Sequence, residues 1–308
     1  MRLRSAVGAL AAGAGAVALA NAALERRAPP LSPALDGDQH TFEWNDIDVR
    51  YAEAGDPAAP DLVLLHGINA AGSNGEFRAV FDDLADEYHV IAPDLPGFGT
   101  SDRPPLRYSA TFYTDFVRDF VASVPDAEAP AVVASSLTAA YLADAAPDLD
   151  LSGAVLVCPT ERGGPGRNLV VRELFRSPLV GEALFNLLTA KPAIRHFNAD
   201  HGYYEMDRVS DEWLDYEWQT AHQPNARYAP ASFVSGYLNA EIDLAAALAA
   251  VDAPVTLVWG READITPLKR GRELAEAADT RLVVVDDAKL LPHVEFPEQF
   301  VGVVRDAL

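Results

Sequence analysis

Residues 131–140, Ala-Val-Val-Ala-Ser-Ser-Leu-Thr-Ala-Ala, join a short apolar strand pattern directly to a helix-forming run, with serine at the junction. A chain that turns this tightly from strand to helix has little room beside the turn, so small residues are needed two positions to either side. Ser136 has alanine and threonine at those positions, whereas Ser135 would have valine and leucine. The stretch predicts either a turn that presents Ser136 as a nucleophile or an ordinary serine N-cap after a buried strand.

Strand patterns recur along the chain and, after the second, alternate with helical patterns. They occupy residues 41–44, 49–54, 62–65, 89–92, 131–134, 154–157, 255–259 and 282–285. Such alternation is typical of an α/β fold. It predicts a mostly parallel eight-stranded sheet with helices on both faces.

Four motifs follow one another in a fixed order along this pattern. They are His66-Gly67 after a buried strand, the loop Asp94-Leu-Pro-Gly-Phe-Gly-Thr-Ser-Asp-Arg-Pro, the serine turn at Ser136, and Val-Trp-Gly at 258–260. In this order and spacing they resemble the α/β-hydrolase superfamily, in its capped branch with a serine nucleophile. The aspartate-nucleophile branches are disfavoured because the turn carries serine.

The resemblance also implies a domain organisation. Residues 1–27 form an apolar N-terminal segment and 28–39 a proline-bearing linker. The hydrolase core is expected over 40–158 and 229–308. The aromatic-rich segment 159–228 interrupts the alternation after the sixth strand, where the family carries a helical cap that would shape an apolar substrate pocket.

The N-terminal segment carries a twenty-residue uncharged run at residues 5–24, which as a helix would span about 30 Å, the thickness of a bilayer core. Ten of these residues are alanine and three are glycine, so the driving force for insertion is weak. The run is interpreted as a membrane anchor, as a cleavable export signal, or as a soluble alanine-rich helix of a cytoplasmic protein.

The composition excludes one class of partner. The net charge is −22, from 46 acidic and 24 basic residues, and such a surface repels nucleic acid. An acidic, lysine-poor chain is typical of proteins from salt-loving organisms, where screening removes the self-repulsion. The single cysteine, Cys158, rules out an intrachain disulfide, and we expect a small buried hydrophobe there rather than a catalytic thiol.

The resemblance implies an oxyanion hole formed by the backbone N–H groups of Ile68 and Leu137. The acid that orients the base is expected four residues after the tryptophan of the Val-Trp-Gly motif. Alanine stands at that position, so the next residue, Asp264, is the predicted acid. The alternatives on neighbouring strand ends are Glu262 and Glu161.

The base departs most from the family pattern, in which the last strand is followed by Gly-His. Lys289 and Leu290 stand at those two positions, and His293 is the only histidine in this loop. His293 is therefore the predicted base, three residues from the usual position, with a helix-start residue as the other interpretation. His222, in the cap, is a weaker candidate. The remaining four histidines are expected at the surface or in packing positions.

These observations predict a serine hydrolase that cleaves an ester or related acyl bond of a small, mainly apolar substrate through an acyl-enzyme. No metal ion and no organic cofactor is expected to take part. The alternative is a binding or scaffold protein that kept the hydrolase fold and lost the catalytic residues.

Overall fold

The computed structural model describes the backbone of residues 2–308 and the side chains from Gly13 onward. One sheet of eight strands runs through the molecule, in the order β1-β2-β4-β3-β5-β6-β7-β8. The strands are β1 (Asp38–Trp44), β2 (Ile47–Ala54), β3 (Asp61–Leu65), β4 (His89–Pro93), β5 (Ala131–Ser135), β6 (Gly153–Val157), β7 (Val255–Gly260) and β8 (Arg281–Val285). The pairs β1–β2 and β2–β4 are antiparallel and all other pairs are parallel, which confirms the predicted α/β fold.

The central strands are buried on both faces, which explains why they read as continuous apolar runs rather than as alternating patterns. In β3, for example, Leu62 and Leu64 pack into the apolar cluster on one face of the sheet. Val63 and Leu65 pack into the cluster on the other face. Because successive side chains of a strand point to opposite faces, each strand contributes apolar contacts to the helices on both sides of the sheet.

The helices are α1 (Arg2–Arg27), α2 (Phe81–Ala85), α3 (Ala110–Ser123), α4 (Ser136–Ala145), α5 (Leu169–Arg176), α6 (Val180–Leu188), α7 (Lys191–Phe197), α8 (Asp211–Ala221), α9 (Tyr228–Val234), α10 (Leu244–Ala249), α11 (Leu268–Ala278), α12 (Pro292–Glu295) and α13 (Pro297–Ala307). Helices α3, α4, α10 and α11 supply buried side chains to one face of the sheet. Helices α2 and α13 supply them to the other face. The result is a three-layer sandwich.

Helices α5 to α8 lie between β6 and β7, inside the range predicted as a cap. A π-helical turn at Asn198–Gly202 joins α7 to the rest of this segment. Ile194, Tyr203 and Leu214 form a small apolar cluster there, which also includes Val294 of α12. The inserted segment therefore packs directly on the loop that follows β8.

Helix α1 contacts α6 of the inserted segment. Asn21 is buried at this contact, where its amide donates to the backbone oxygen of Leu179 and accepts from Asn186. Within the described residues no helix combines the length and the apolarity needed to cross a bilayer. The membrane anchor expected at residues 5–24 thus receives no support from the structure, whereas the export signal stays a prediction, and the side chains before Gly13 lie outside the described part.

The segment that joins α1 to β1 is held against the protein. Tyr216 and Gln223 donate side-chain hydrogen bonds to the backbone oxygens of Ser32 and Pro29, respectively. Leu35 is buried in the core cluster on the α2 side of the sheet. Residues 28–39, which were predicted as a linker, follow a fixed path over α8 and the core.

Candidate active site

The serine turn lies where β5 ends and α4 begins. Ser135 has an extended backbone, whereas Ser136 has φ = 56°. That left-handed conformation costs a residue with a side chain about 1–2 kcal/mol, so the surrounding packing must hold it in place. Of the two serines, Ser136 is therefore the one at the strained turn, and it is also the one that is partly exposed.

A threonine replaces the small residue usual two positions after the turn, and the structure gives its reason. Thr138 is buried, and its hydroxyl donates a 2.7 Å hydrogen bond to the backbone oxygen of His66. The turn is thereby tied to the loop that follows β3. The threonine hydroxyl therefore joins the serine turn to the loop after β3.

The loop after β3 meets the serine turn at Gly67, one residue before Ile68, whose backbone N–H is a predicted oxyanion donor. Ile68 follows His66-Gly67, and Leu137 is in the first turn of α4, where helix N–H groups lack intrahelical acceptors. His66 is fully buried; its Nε2 accepts from the Leu95 N–H at 3.0 Å, and Nδ1 lies 2.7 Å from the Gly67 oxygen. Both ring nitrogens of His66 are thus used to hold the loops together.

A buried carboxylate, Glu76, stands beside this turn. It belongs to a 3-10 turn at Asn74–Phe77, and its Oε2 accepts a 2.9 Å hydrogen bond from the Gly67 N–H. A Cβ placed on Gly67 would lie 3.2 Å from Glu76 Oε2, 3.2 Å from Ser135 Oγ and 3.4 Å from Ser136 Cβ. Glu76 and the two serines therefore surround the same glycine.

His293 lies on the other side of Glu76. Its imidazole is completely buried between the rings of Phe77 and Phe300, and its Nε2 is 3.3 Å from Glu76 Oε1. Burial alone would raise the pKa of Glu76. Hydrogen bonding and charge from His293, with smaller contributions from Ser135 and His66, outweigh it and hold the pKa below its usual value. Glu76 is therefore an ionised carboxylate inside the protein.

Asp264, predicted as the acid, lies at the surface. Its side chain is 52% exposed, and its nearest cationic partner is Lys289 Nζ at 3.9 Å. Among the described residues no hydrogen bond or ion pair joins it to His293. Of the alternatives, Glu161 pairs with Arg270 at 3.0 Å, and Glu262 is exposed. The structure brings His293 to Glu76 and to none of these three carboxylates.

In the loop after β8, the two residues at the usual Gly-His positions make structural contacts. Leu290 packs against the core cluster. The Lys289 side chain donates to the backbone oxygens of Ala199 and Asp200, and its backbone N–H donates to Glu295 Oε2. Glu295 in turn accepts from the Tyr204 backbone N–H. This loop thus holds the inserted segment in place.

Two other residues considered from the sequence are also buried. His222 Nδ1 donates to the backbone oxygen of Trp218 at 2.8 Å, and the imidazole stacks on the Trp218 ring. Burial raises the pKa of the Cys158 thiol to about 12, so it is a neutral thiol at physiological pH. In the described part of the chain no three His, Cys, Asp or Glu side chains form a group that could hold a metal ion.

A polar cavity of about 200 Å³ lies between α1, α6 and residues 221–227, and His222 contributes to its lining. Ser136, Glu76 and His293 do not line it. The candidate active site is placed at the serine turn rather than in this cavity. The turn combines a strained nucleophile position with the buried contact of Glu76 and His293, and none of these three residues lines the cavity.

Glu76 is the residue of this site that sequence patterns do not reveal. Its only signal is a carboxylate just before a mostly apolar stretch, Phe-Arg-Ala-Val-Phe at residues 77–81, in a loop that follows a buried strand. Acidic residues are rarely buried without a partner. A buried position for Glu76 would therefore have pointed to a cation or imidazole facing it, but not to which one.

Comparison with known proteins agrees with the fold and the motifs. The sequence profile of the Alpha/beta hydrolase family matches residues 62–303. An uncharacterized hydrolase of Saccharomyces cerevisiae is 45% identical over 66 residues, which is 21% of this chain and 22% of the yeast protein. The pimeloyl-[acyl-carrier protein] methyl ester esterase of Aeromonas salmonicida is 29% identical over 255 residues, which covers 80% of this chain and 94% of the esterase.

Among solved structures, the 2-hydroxy-6-oxo-6-phenylhexa-2,4-dienoate hydrolase of Rhodococcus sp. strain RHA1 superposes with a TM-score of 0.71 at 21% identity. The superposition covers 88% of this chain and 98% of the Rhodococcus enzyme. At that identity the likeness concerns the fold alone. The family match spans most of the chain, from β3 to α13, and with the ordered motifs it means that this protein belongs to the α/β hydrolase family.

Proposed function

We propose that this protein is a serine hydrolase that cleaves an ester or related acyl bond of a small, mainly apolar substrate. The observation that carries the proposal is the backbone of Ser136, which is held at φ = 56° between β5 and α4 and is partly exposed. A strained serine at such a turn is a costly feature for a mere helix cap. The esterase similarity over 80% of the chain supports the acyl substrate class.

In the proposed reaction, Ser136 Oγ forms a bond to the carbonyl carbon of the substrate while its proton passes to the imidazole of His293. The N–H groups of Ile68 and Leu137 stabilise the oxyanion. The proton then passes to the leaving alcohol, and the acyl group remains on Ser136. Water attacks the acyl-enzyme, the carboxylic acid leaves, and the serine hydroxyl is restored. No metal ion or organic cofactor enters these steps.

The test is hydrolysis of p-nitrophenyl acetate and butyrate by matched variants. Ser136→Ala is expected to lose about 10³-fold or more in kcat/KM. Its melting temperature should stay close to that of the parent, because the side chain is partly exposed. Ser135→Ala provides the control with the same chemical change one residue earlier, and should retain far more activity. Equal activity of the parent and Ser136→Ala would remove the serine mechanism.

One observation favours a second candidate, a hydrolase-fold binding protein without turnover. Leu290 occupies the usual position of the base, and His293, the proposed base, is completely buried. This candidate predicts that the parent protein hydrolyses no ester of the panel above the buffer rate. It also predicts that Ser136→Ala binds such esters as tightly as the parent does.

A further inference from the structure

We propose that Glu76 is the carboxylate that orients His293, so that the acid of this site comes from the loop after β3 and not from the loop after β7. This inference rests on the proposed serine mechanism and deepens it. It starts from one contact, the 3.3 Å separation of His293 Nε2 and Glu76 Oε1, in which both side chains are buried.

The surroundings of the pair make Glu76 a positioned carboxylate. Glu76 Oε2 accepts a hydrogen bond from the Gly67 N–H at 2.9 Å. The hydroxyl of Ser135 also lies close to Gly67. With Oε2 held in this way, Oε1 is directed at the imidazole. His293 has no alternative carboxylate within ion-pair distance among the described residues. Glu76 is also ionised, because His293 lowers its pKa against the effect of burial.

The contact determines which nitrogen of His293 carries the hydrogen. A neutral imidazole donates from one nitrogen and accepts at the other. Because a carboxylate faces Nε2, the hydrogen is on Nε2 and Nδ1 is left as the basic nitrogen. In the described part of the chain neither ring nitrogen of His293 meets the geometry of a hydrogen bond, and the 3.3 Å approach of Glu76 Oε1 to Nε2 is the contact that distinguishes the two nitrogens. In the proposed mechanism Nδ1 is then the nitrogen that takes the proton of Ser136, and Glu76 acts through His293 as a positioning residue.

Glu76 also connects His293 to the serine turn through backbone geometry. Gly67 lies between Glu76 and Ser136. A Cβ added to Gly67 would be 3.2 Å from Glu76 Oε2 and 3.4 Å from Ser136 Cβ. Gly67 is also the residue before Ile68, whose backbone N–H is the proposed oxyanion donor. A shift of the Glu76 carboxylate would therefore displace both the base and the oxyanion amide. Asp264, with a 52% exposed side chain beside Lys289, has no such connection.

The experiment compares Glu76→Gln, Glu76→Asp and Asp264→Asn with the parent. Glu76→Gln should lower kcat for p-nitrophenyl acetate about 10²- to 10⁴-fold, as expected when the base is held in the wrong tautomer. The loss should fall mainly on kcat rather than on KM. Glu76→Asp should recover part of the rate because it restores the negative charge. Asp264→Asn should stay within about threefold of the parent.

Imidazole ¹⁵N NMR spectra provide a readout that does not depend on turnover. The parent, Ser136→Ala and Asp264→Asn should each show His293 with its hydrogen on Nε2. Glu76→Gln should change that signal, and if it does not fold, the parent and Asp264→Asn spectra still decide. The proposal is overturned if the parent has the hydrogen on Nδ1, or if Asp264→Asn alters the tautomer and loses activity. Full activity in Ser136→Ala with an unchanged His293 signal would refute the serine mechanism and leave the Glu76–His293 pairing intact.

Discussion

Glu217 in α8 is a buried carboxylate that forms no ion pair with any described residue, and replacing it with glutamine should make the protein more stable above neutral pH. Burial raises the pKa of Glu217 from its usual 4.5 to about 7, although Asn198 donates to its Oε2 at 2.7 Å. Between those two pH values the folded protein holds a proton that the unfolded chain releases. Its stability therefore falls as the pH rises through this range.

The magnitude follows from the two pKa values. At 1.36 kcal/mol per pH unit, ionising Glu217 in the folded state costs about 3 kcal/mol of the free energy of unfolding. Glu217→Gln avoids this cost and keeps an acceptor for Asn198. The variant should match the parent at pH 4 and exceed it by about 3 kcal/mol at pH 8, a rise in melting temperature of roughly 6–12 °C.

Thermal melts monitored by circular dichroism between pH 4 and pH 8 measure this difference. Glu212→Gln is the matched control, because Glu212 lies in the first turn of the same helix and is exposed. The control should show no comparable dependence on pH. A stability difference for Glu217→Gln that is flat across the range, or a variant less stable than the parent at pH 8, would refute the reasoning. The second result would mean that an ion pair stabilises Glu217.

Three further predictions concern the fold and its surroundings. Gly99→Ala should cost about 2 kcal/mol or more in urea unfolding, because φ is 50° and the new Cβ would meet the Asp94 carboxyl, whereas Gly166→Ala, with nothing within 4 Å, should cost far less. Deleting residues 1–27 should leave a folded domain. If cell fractionation finds neither the full-length chain nor the deletion variant in the membrane fraction, attachment through residues 5–24 is refuted. The melting temperature of the parent should rise in molar salt, since the net charge of −22 is then screened; equal melting in dilute buffer would count against adaptation to salt.

The strands could be predicted from the sequence because burial on both faces leaves a local signal, a short apolar run between turn residues. All eight were located to within about three residues of their observed ends. The turn at Ser136 was predicted for the same reason, since the demand for small residues around it is local. Only the structure showed why Thr138 is acceptable there, because its hydroxyl acceptor, the His66 oxygen, lies on another loop.

The contact between Glu76 and His293 could not be predicted in this way. The choice of Asp264 followed the family position after β7, and its catalytic role stays a prediction that the Asp264→Asn variant tests. Glu76 and His293 lie near opposite ends of the core sequence, and no spacing rule connects them. Their contact depends on how the loop after β3 and helix α12 meet across Phe77. Such long-range pairing leaves no periodic pattern in a single sequence.

The most direct test of the central claim is covalent labelling of the intact protein with a fluorophosphonate, followed by mass spectrometry of its peptides. A serine activated as a nucleophile reacts with such a probe, whereas a serine that only caps a helix does not. We expect one adduct per chain, located on Ser136, and no adduct in Ser136→Ala. An adduct on Ser135, or no adduct in the parent between pH 6 and pH 9, would contradict the assignment of Ser136 as the nucleophile.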